Sequence, residues 1–230
     1  MNKYKNIYFD LDRTIWDFDK NAMETFRDIF EKYELENIFK DFNDFYNTYV
    51  KHNDNLWGLY REGKIEKSVL SYKRFWLTLN EFGVNNEKLA KKIAEDYISI
   101  SPTKKELFPY AHETLDYLCK KYNLYVITNG FNEVQFTKLK NSDLDKYFEK
   151  VFTSENAGAQ KPSPAIFEHA LSEVNASKQE SIMIGDDLKV DIMGAKDFGL
   201  DQIFFNPEGK EHTEKITHEI CSLKELQEIL

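Results

Sequence analysis

Side chains suited to phosphate or divalent-cation chemistry stand at four separate places along this 230-residue chain. They are Asp10, Asp12 and Thr14 in YFDLDRT, Thr128, Asn129 and Gly130 in ITNG, Lys161 before Pro162, and Asp186, Asp187 and Asp191 in GDDLKVD. Carboxylates can bind a hard cation or attack phosphorus, while hydroxyl, amide and ammonium groups can hold phosphate oxygens. A turn or a helix cap explains each group taken alone. Their order and joint placement indicate phosphate chemistry.

Each of these groups follows a short apolar run that predicts a buried strand. The runs are residues 6–11, 124–128, 150–154 and 181–185, and a fifth run follows at 202–205. Segments with helical spacing separate the later runs, and in one of them Ser163 is a predicted N-cap with Pro164 in the first turn. This alternation predicts an α/β fold, a doubly wound parallel sheet with its first strand in the middle or at the switch point. Ligands bind at the carboxyl ends of such strands, where the polar groups stand.

An all-helical insertion is predicted directly after the first strand. Apolar residues there recur at helical spacing, and the proline-containing segment SPTKKELFP closes the block. The predicted division assigns residues 1–16 and 102–230 to the catalytic core and residues 17–101 to the helical domain. Trp16, Trp57 and Trp76 fall at or within this block, and most of its aromatic residues are expected to form a small helix-bundle core.

Composition and charge exclude several classes of protein. Hydrophobic residues make up 41% of the chain, too many for a disordered protein, and no apolar run approaches the ~18 residues of a membrane span. The net charge of −9 opposes nucleic-acid binding, so an anionic substrate needs a local cation, a lysine or a helix N-terminus. Two cysteines and a start without a signal-peptide pattern favour a cytoplasmic protein. Cys119 is expected to be a small buried group on a helix face.

The four motifs, in this order, resemble those of the haloacid dehalogenase-like hydrolases. The stretch FDLDRTIWDFDKNA, followed by VITNG, KPSPAIF and IGDDLKVDIMGA, is most similar to the pyrimidine 5′-nucleotidase group of small bacterial phosphatases. The resemblance covers nearly the whole chain, and the helical insertion stands in the place of that family's cap domain. One departure is Arg13, a long cation at a position that is variable in the family.

The resemblance implies a role for each core residue. Asp10 is the expected nucleophile, which forms an aspartyl-phosphate. Asp12 is the expected general acid, which gives a proton to the leaving oxygen and later takes one from the attacking water. The phosphoryl oxygens would be bound by Thr128, Asn129, Gly130 and Lys161.

A magnesium site is also implied. The expected ligands are the carboxylates of Asp10 and Asp186 and the backbone carbonyl oxygen of Asp12. Asp191 belongs to the same metal-binding set, where it would orient a metal-bound water or Lys161. Asp187 could act similarly, but a helix cap is the favoured reading. Mg²⁺ is therefore the expected cofactor.

The resemblance further implies a small phosphomonoester as substrate, preferably a pyrimidine nucleoside 5′-monophosphate. Trp16 and Phe18 lie near the predicted hinge and are candidates for stacking on the base, with hinge packing as the competing interpretation. The expected protein is a monomer or homodimer that binds neither nucleic acid nor membrane.

Several alternatives remain open from the sequence. A sugar-phosphate phosphatase or a phosphosugar mutase of the same superfamily shares all four motifs. A dehalogenase expels halide and needs no proton donor such as Asp12. A phospho-accepting signalling domain also uses carboxylates around Mg²⁺, but is about half this length and carries its acceptor after a middle strand. A catalytically inactive relative would be expected to lose Asp10 or Asp12.

Overall fold

A computed structural model describes residues 3–230 of the chain as two compact units. The sheet unit contains the chain up to Asp19 together with Lys105–Leu230, and the helical unit is Lys20–Lys104. Both boundaries fall three residues after those predicted, which were 16/17 and 101/102. The Asp17 amide donates to the Glu106 carbonyl, which keeps residues 17–19 with the sheet unit. Lys104 pairs with Asp28 and Glu24, so residues 102–104 stay with the helical unit. Residues 1 and 2, part of the predicted core, lie outside the described residues.

The sheet unit is built on one parallel sheet, which has six strands in the described residues, in the order β3-β2-β1-β4-β5-β6. The strands are β1 (Asn6–Phe9), β2 (Asn123–Thr128), β3 (Lys150–Thr153), β4 (Ser181–Gly185), β5 (Asp201–Phe205) and β6 (His218–Ile220). The first strand pairs with β2 on one side and with β4 on the other, where the strand order reverses. The predicted doubly wound α/β fold is confirmed, with β1 at the switch point.

Alternating side chains of the apolar strands divide the core into two layers. In β1, Ile7 and Phe9 join the apolar cluster on one face, while Tyr8 joins the cluster on the other. Both faces are buried, and this explains why the strands read as continuous apolar runs instead of alternating ones.

The helical unit holds most of α1 and all of the next three helices. These are α1 (Phe18–Lys32), α2 (Phe42–Arg61), α3 (Lys67–Glu81) and α4 (Glu87–Ile100). The side chains of Asp41 and Asn86 accept hydrogen bonds from backbone amides and start α2 and α4. The core of this unit is aromatic, with the rings of Phe26 and Tyr97 stacked 4.9 Å apart and Phe75 beside both. The predicted helix-bundle core is thus present.

The remaining helices pack on the sheet. They are α5 (Ala111–Leu118), α6 (Asn132–Asn141), α7 (Ser154–Ala157), α8 (Pro164–Glu173), α9 (Gly194–Phe198) and α10 (Leu226–Ile229), and a π-helical segment spans Leu188–Met193. The Ser163 side chain accepts from the Ala165 amide and caps α8, as predicted. Cys119 is exposed, contrary to expectation, because α5 ends at Leu118 and leaves the cysteine as its C-cap. Across residues 3–230, no helix has the length and apolar character needed to cross a bilayer.

Candidate active site

The carboxyl ends of three adjacent strands bring the predicted residues together. Asp10 directly follows β1, Thr128 is the last residue of β2, and Asp186 directly follows β4. The fourth group, Lys161, lies in the loop that connects α7 to α8. The Asp10 amide still donates to the carbonyl of Ile184 in β4, at 2.8 Å, so the start of this site is fixed by the ladder itself.

Lys161 is the buried cation of the site, with 1% of its surface exposed. Its Nζ lies 2.6 Å from Oδ1 of Asp10, 2.7 Å from Oδ1 of Asp191 and 2.7 Å from the carbonyl oxygen of Ile127. An ammonium group has three N–H donors, and these three acceptors use all of them. Burial alone would lower the pKa of Lys161, but the charges of Asp10 and Asp191 outweigh it and raise the pKa. Lys161 therefore stays protonated.

The Asn129 side chain fixes the Lys161 loop. Its Nδ2 donates to the Lys161 carbonyl at 3.0 Å, and its Oδ1 accepts from the Lys161 amide at 2.8 Å. The Gly130 amide donates to Oγ1 of Thr128 at 3.0 Å. The sequence assigned the amides of Asn129 and Gly130 to phosphoryl oxygens, but in this structure the Gly130 amide already has an acceptor. The binding of phosphoryl oxygens by these amides stays a prediction, and in this structure the Asn129 side chain holds the loop that carries the lysine.

Asp10, Asp186 and Asp191 form a cluster of three carboxylates, whose nearest oxygen atoms lie within 4.8 Å of one another. Burial raises the pKa of Asp186 to about 9, and the charges of Asp191 and Asp10 add to the effect. Burial likewise raises the pKa of Asp10 to about 7, although Lys161 opposes the rise. Ionised together, three carboxylates outweigh one ammonium group, so the raised pKa values mean that protons offset this excess charge wherever a cation does not.

This cluster has the donor chemistry of a divalent-cation site. Hard oxygen ligands and uncompensated negative charge are what Mg²⁺ or Ca²⁺ requires. The Asp191 oxygens are both occupied, Oδ1 by Lys161 and Oδ2 by the Asp187 amide at 3.1 Å. Asp10 and Asp186 are therefore the better-placed ligands, and Asp191 holds Lys161. The residues present fit the predicted magnesium ion.

A glycine and two polar side chains support this cluster. A Cβ added to Gly185 would lie 2.5 Å from the side chain of Asp191, so a glycine is needed where that carboxylate approaches β4. Thr14 donates its hydroxyl to Oδ1 of Asp186 at 3.3 Å. The Asp187 side chain accepts from the amides of Lys189 and Val190, which confirms that it is a helix cap.

The Asp12 carboxylate points to a different set of partners. Its Oδ2 accepts from Nε2 of Gln135 at 2.8 Å, and its Oδ1 lies 2.5 Å from Nζ of Lys138. Both partners belong to α6, the helix that begins just after Gly130. The sequence analysis named neither residue. Their spacing of three along a predicted helix, next to the Thr128 motif, was the one available signal.

Trp16 is completely buried, which corrects its assignment as a base-stacking residue. Its ring belongs to the apolar cluster of the sheet unit, with Nζ of Lys138 4.1 Å from the ring centre. Phe18 is partly exposed, and the Arg13 guanidinium lies 4.5 Å from its centre. Arg13 also forms a two-point ion pair with Asp19. Of the two predicted stacking residues, only Phe18 retains accessible surface.

Comparison with known proteins finds hydrolases, in agreement with the phosphate chemistry that the site residues indicate. Residues 4–199 match the family model for haloacid dehalogenase-like hydrolase. The chain is 34% identical to the pyrimidine 5′-nucleotidase PynA of Streptococcus pneumoniae, over 99% of this chain and 95% of that protein. It is 30% identical to a glyceraldehyde 3-phosphate phosphatase of Pyrococcus furiosus, over 100% of this chain and 94% of that one.

A solved structure is similar along the whole length. It is the magnesium-bound putative HAD-hydrolase YfnB of Bacillus subtilis, with a TM-score of 0.90 and 30% identity over 99% of both chains.

Proposed function

This chain belongs to the haloacid dehalogenase-like hydrolases, and on that premise we propose that it hydrolyses small phosphomonoesters through a phosphorylated Asp10. The observation that carries the proposal is the pairing of Asp10 with the buried Lys161, at 2.6 Å, inside the acidic cluster. A carboxylate on the end of a strand with a fixed cation beside it is suited to attack an anionic phosphorus centre.

The first half-reaction transfers the phosphoryl group to Asp10. One carboxylate oxygen attacks phosphorus, the ester P–O bond breaks, and the leaving oxygen takes a proton from Asp12. Lys161 binds Oδ1 of Asp10, and no hydrogen bond reaches Oδ2 from the described residues. The Oδ2 atom is therefore the oxygen available for attack.

The second half-reaction returns Asp10 to its free state. Asp12, now a carboxylate, takes a proton from water as the water oxygen attacks the phosphorus. The bond between Asp10 and phosphorus breaks, and inorganic phosphate leaves.

One side chain would bind the transferred group and another would offset its charge. The Thr128 oxygen accepts from the Gly130 amide, so its own O–H remains available to donate to a phosphoryl oxygen. Lys161 places a positive charge at the nucleophile, which offsets part of the charge of an incoming phosphate dianion.

Asp10, Asp186 and the Asp12 carbonyl oxygen would hold Mg²⁺, which when bound neutralises phosphate charge and orients the phosphoryl group. The YfnB structure, which is magnesium-bound, supports this assignment.

The proposed substrates are nucleoside 5′-monophosphates, with pyrimidines preferred. The similarity to PynA supports this choice, and the partly exposed Phe18 offers one ring for a flat base. The similarity to the P. furiosus enzyme supports a second candidate, a triose phosphate. The two candidates differ in whether an aromatic base is recognised.

Phosphate release tests the proposal directly. We would measure kcat/KM for dUMP, dTMP, AMP and glyceraldehyde 3-phosphate with Mg²⁺ and with excess chelator, and chloride release from chloroacetate in parallel. Magnesium-dependent release from dUMP and dTMP above the other esters supports the nucleotidase. A tenfold preference for the triose phosphate would replace it with the second candidate, and chloride release without phosphate release would contradict phosphatase activity altogether.

A further inference from the structure

Both oxygen atoms of the Asp12 carboxylate are bound, each by a different donor of α6. Lys138 reaches Oδ1 and Gln135 reaches Oδ2, at 2.5 and 2.8 Å. One hydrogen bond leaves a carboxylate free to rotate, whereas two bonds on separate oxygens fix the direction of its plane. The Asp12 side chain is still partly accessible, at 24%. It is thus held from one side and open to solvent on another.

The two donors are themselves tightly fixed. Lys138 is 2% exposed, and its ammonium group lies against the ring of the buried Trp16. Among the described residues, Asp12 is the one carboxylate that pairs with Lys138. A buried lysine needs such a partner, because an unpaired charge is costly to bury. The pairing therefore accounts for both the lysine and the orientation of the aspartate.

Gln135 is also buried, and its side-chain amide donates to Asp12. It is 1% exposed, and its Oε1 is buried with no hydrogen-bond partner in the part of the chain that the structure describes. A Cβ on residue 130 would lie 1.6 Å from Gln135 Nε2, so Gly130 leaves the space through which the amide reaches Asp12. An apolar residue would fill this position without a polar atom left unbound. The contact with Asp12 is what the amide provides.

We propose that Gln135 and Lys138 are positioning residues, which hold the Asp12 carboxylate in the orientation needed for proton transfer. The inference rests on the proposed function, in which Asp12 exchanges a proton with the leaving oxygen and with water. The site then uses two lysines separately: Lys161 serves the nucleophile Asp10, and Lys138 serves the acid–base residue Asp12. Because α6 starts at the Thr128 loop, one helix orients the acid and adjoins the phosphoryl-binding residues.

The test compares two esters that differ in the basicity of the leaving group. Phenyl phosphate needs a proton on its leaving oxygen more than p-nitrophenyl phosphate does, so a misplaced Asp12 slows phenol release selectively. The rate of the first turnover would be measured with Mg²⁺ for Lys138→Met, which is one atom shorter, keeps the apolar stem and removes the charge. We expect the loss on phenyl phosphate to exceed that on p-nitrophenyl phosphate by about tenfold or more. Gln135→Leu should show the same selectivity with a smaller loss.

Three further variants separate positioning from simple structural damage. Lys140→Met, on an exposed position of the same helix, should leave both rates unchanged. Lys138→Arg keeps the charge and should recover most of the phenyl phosphate rate. In an Asp12→Asn background, Lys138→Met should change either rate by less than about twofold, because its effect acts through Asp12.

The outcomes are distinct. Equal losses on the two esters, or the full effect of Lys138→Met in the Asp12→Asn background, would overturn the positioning role while leaving phosphatase activity intact. If Lys138→Met does not fold, Gln135→Leu and Lys138→Arg decide the question. The criteria are again whether the two esters lose equally and whether the effect persists in the Asp12→Asn background. A wild-type protein that hydrolyses neither ester would instead contradict the proposed function itself.

Discussion

At the scale of single residues, the site divides its charges between two carboxylates of one short motif. Asp10 and Asp12 are separated by a single residue, yet Asp10 pairs with Lys161 and Asp12 with Lys138. Each carboxylate therefore has a buried ammonium group of its own, which fixes its orientation independently of the other. Two residues of the same type are thus held by different elements, Asp10 by the loop before α8 and Asp12 by α6.

The substitution Asp10→Asn should abolish turnover without unfolding the chain. The amide has nearly the same shape but is a poor nucleophile and a weak metal ligand. We expect kcat to fall by about 10⁴-fold or more, as for other removed nucleophiles, with the circular dichroism spectrum unchanged. Activity above a few per cent of wild type would remove Asp10 from the proposed role, and Asp19→Asn, an exposed carboxylate of the same unit, is the control.

Protein kept free of metal by excess chelator should lose stability as the pH rises. Folding raises the pKa of Asp10 to about 7 and of Asp186 to about 9, mainly through burial, so the folded state binds more protons than the unfolded state above about pH 4. The free energy of unfolding therefore falls as the pH rises from about 4 towards 9. Each kcal/mol lost lowers the Tm of a chain of this size by about 2–4 °C.

The measurement is Tm at pH 5.5 and pH 8.5 in excess chelator. Mg²⁺ should restore more stability at pH 8.5 than at pH 5.5, because it binds the ionised carboxylates. Asp186→Asn should reduce both the pH dependence and the magnesium effect. A wild-type protein that is more stable at pH 8.5 than at pH 5.5 in excess chelator would contradict the raised pKa values of Asp10 and Asp186.

At the scale of elements, glycines decide how closely a helix or loop can approach a strand. Gly185→Ala should damage the site, because the new Cβ would lie 2.5 Å from Asp191 and displace the carboxylate that holds Lys161. We expect a loss of about 1–3 kcal/mol in the free energy of unfolding, measured by urea denaturation, and at least about a tenfold loss of kcat, as a small displacement of a reacting group produces.

Gly58→Ala is the matched control. Gly58 lies within α2, where an added Cβ meets no atom of the described residues within 4 Å. An alanine there should stabilise the protein by about 0.5–1 kcal/mol, since glycine loses more conformational entropy in a helix. If both substitutions left stability and activity equally unaffected, the close approach at Gly185 would not matter.

The sequence predicted the buried strands well, but it missed the edge strand β6 and the π-helical segment. Five apolar runs identify β1 to β5, because strands buried on both faces must be apolar throughout. The strand β6 was missed since HEI is short and charged, and its pairing with β5 arises only in the folded sheet. A helix was predicted after Asp187, but its π-helical first part depends on packing that the sequence does not show.

The same limit applies within the site. Most of the motif residues could be found because they stand at or just after the end of a strand, which is a local property, and Lys161 was found from its place in the order of the motifs. Gln135 and Lys138 lie more than 120 positions from Asp12, and nothing local indicates that contact. The burial of Trp16 was equally invisible, since an aromatic residue near a hinge suits either packing or stacking.

At the scale of the whole molecule, the net charge of −9 should exclude polymeric phosphates. A 5′-phosphorylated oligothymidylate carries the same terminal ester as dTMP but adds a repelling charge with every nucleotide. We expect kcat/KM for a decamer to be at least about tenfold below that for dTMP, which is the low end of the range that electrostatic effects on association span. Added salt should narrow the gap, and equal rates at low salt would contradict this prediction.

The two segments that lead into and out of the helical unit run side by side. The Asp17 amide donates to Glu106, the Phe108 amide donates to Ile15, and a β-bridge joins Trp16 to Leu107. In evolutionary terms, a gene segment placed between the codons for Asp19 and Lys105 begins and ends at one paired point of the sheet unit. Crossovers at these two ends would therefore exchange the whole insertion without breaking any strand, so that the helical unit can change while the residues at the strand ends are inherited unchanged.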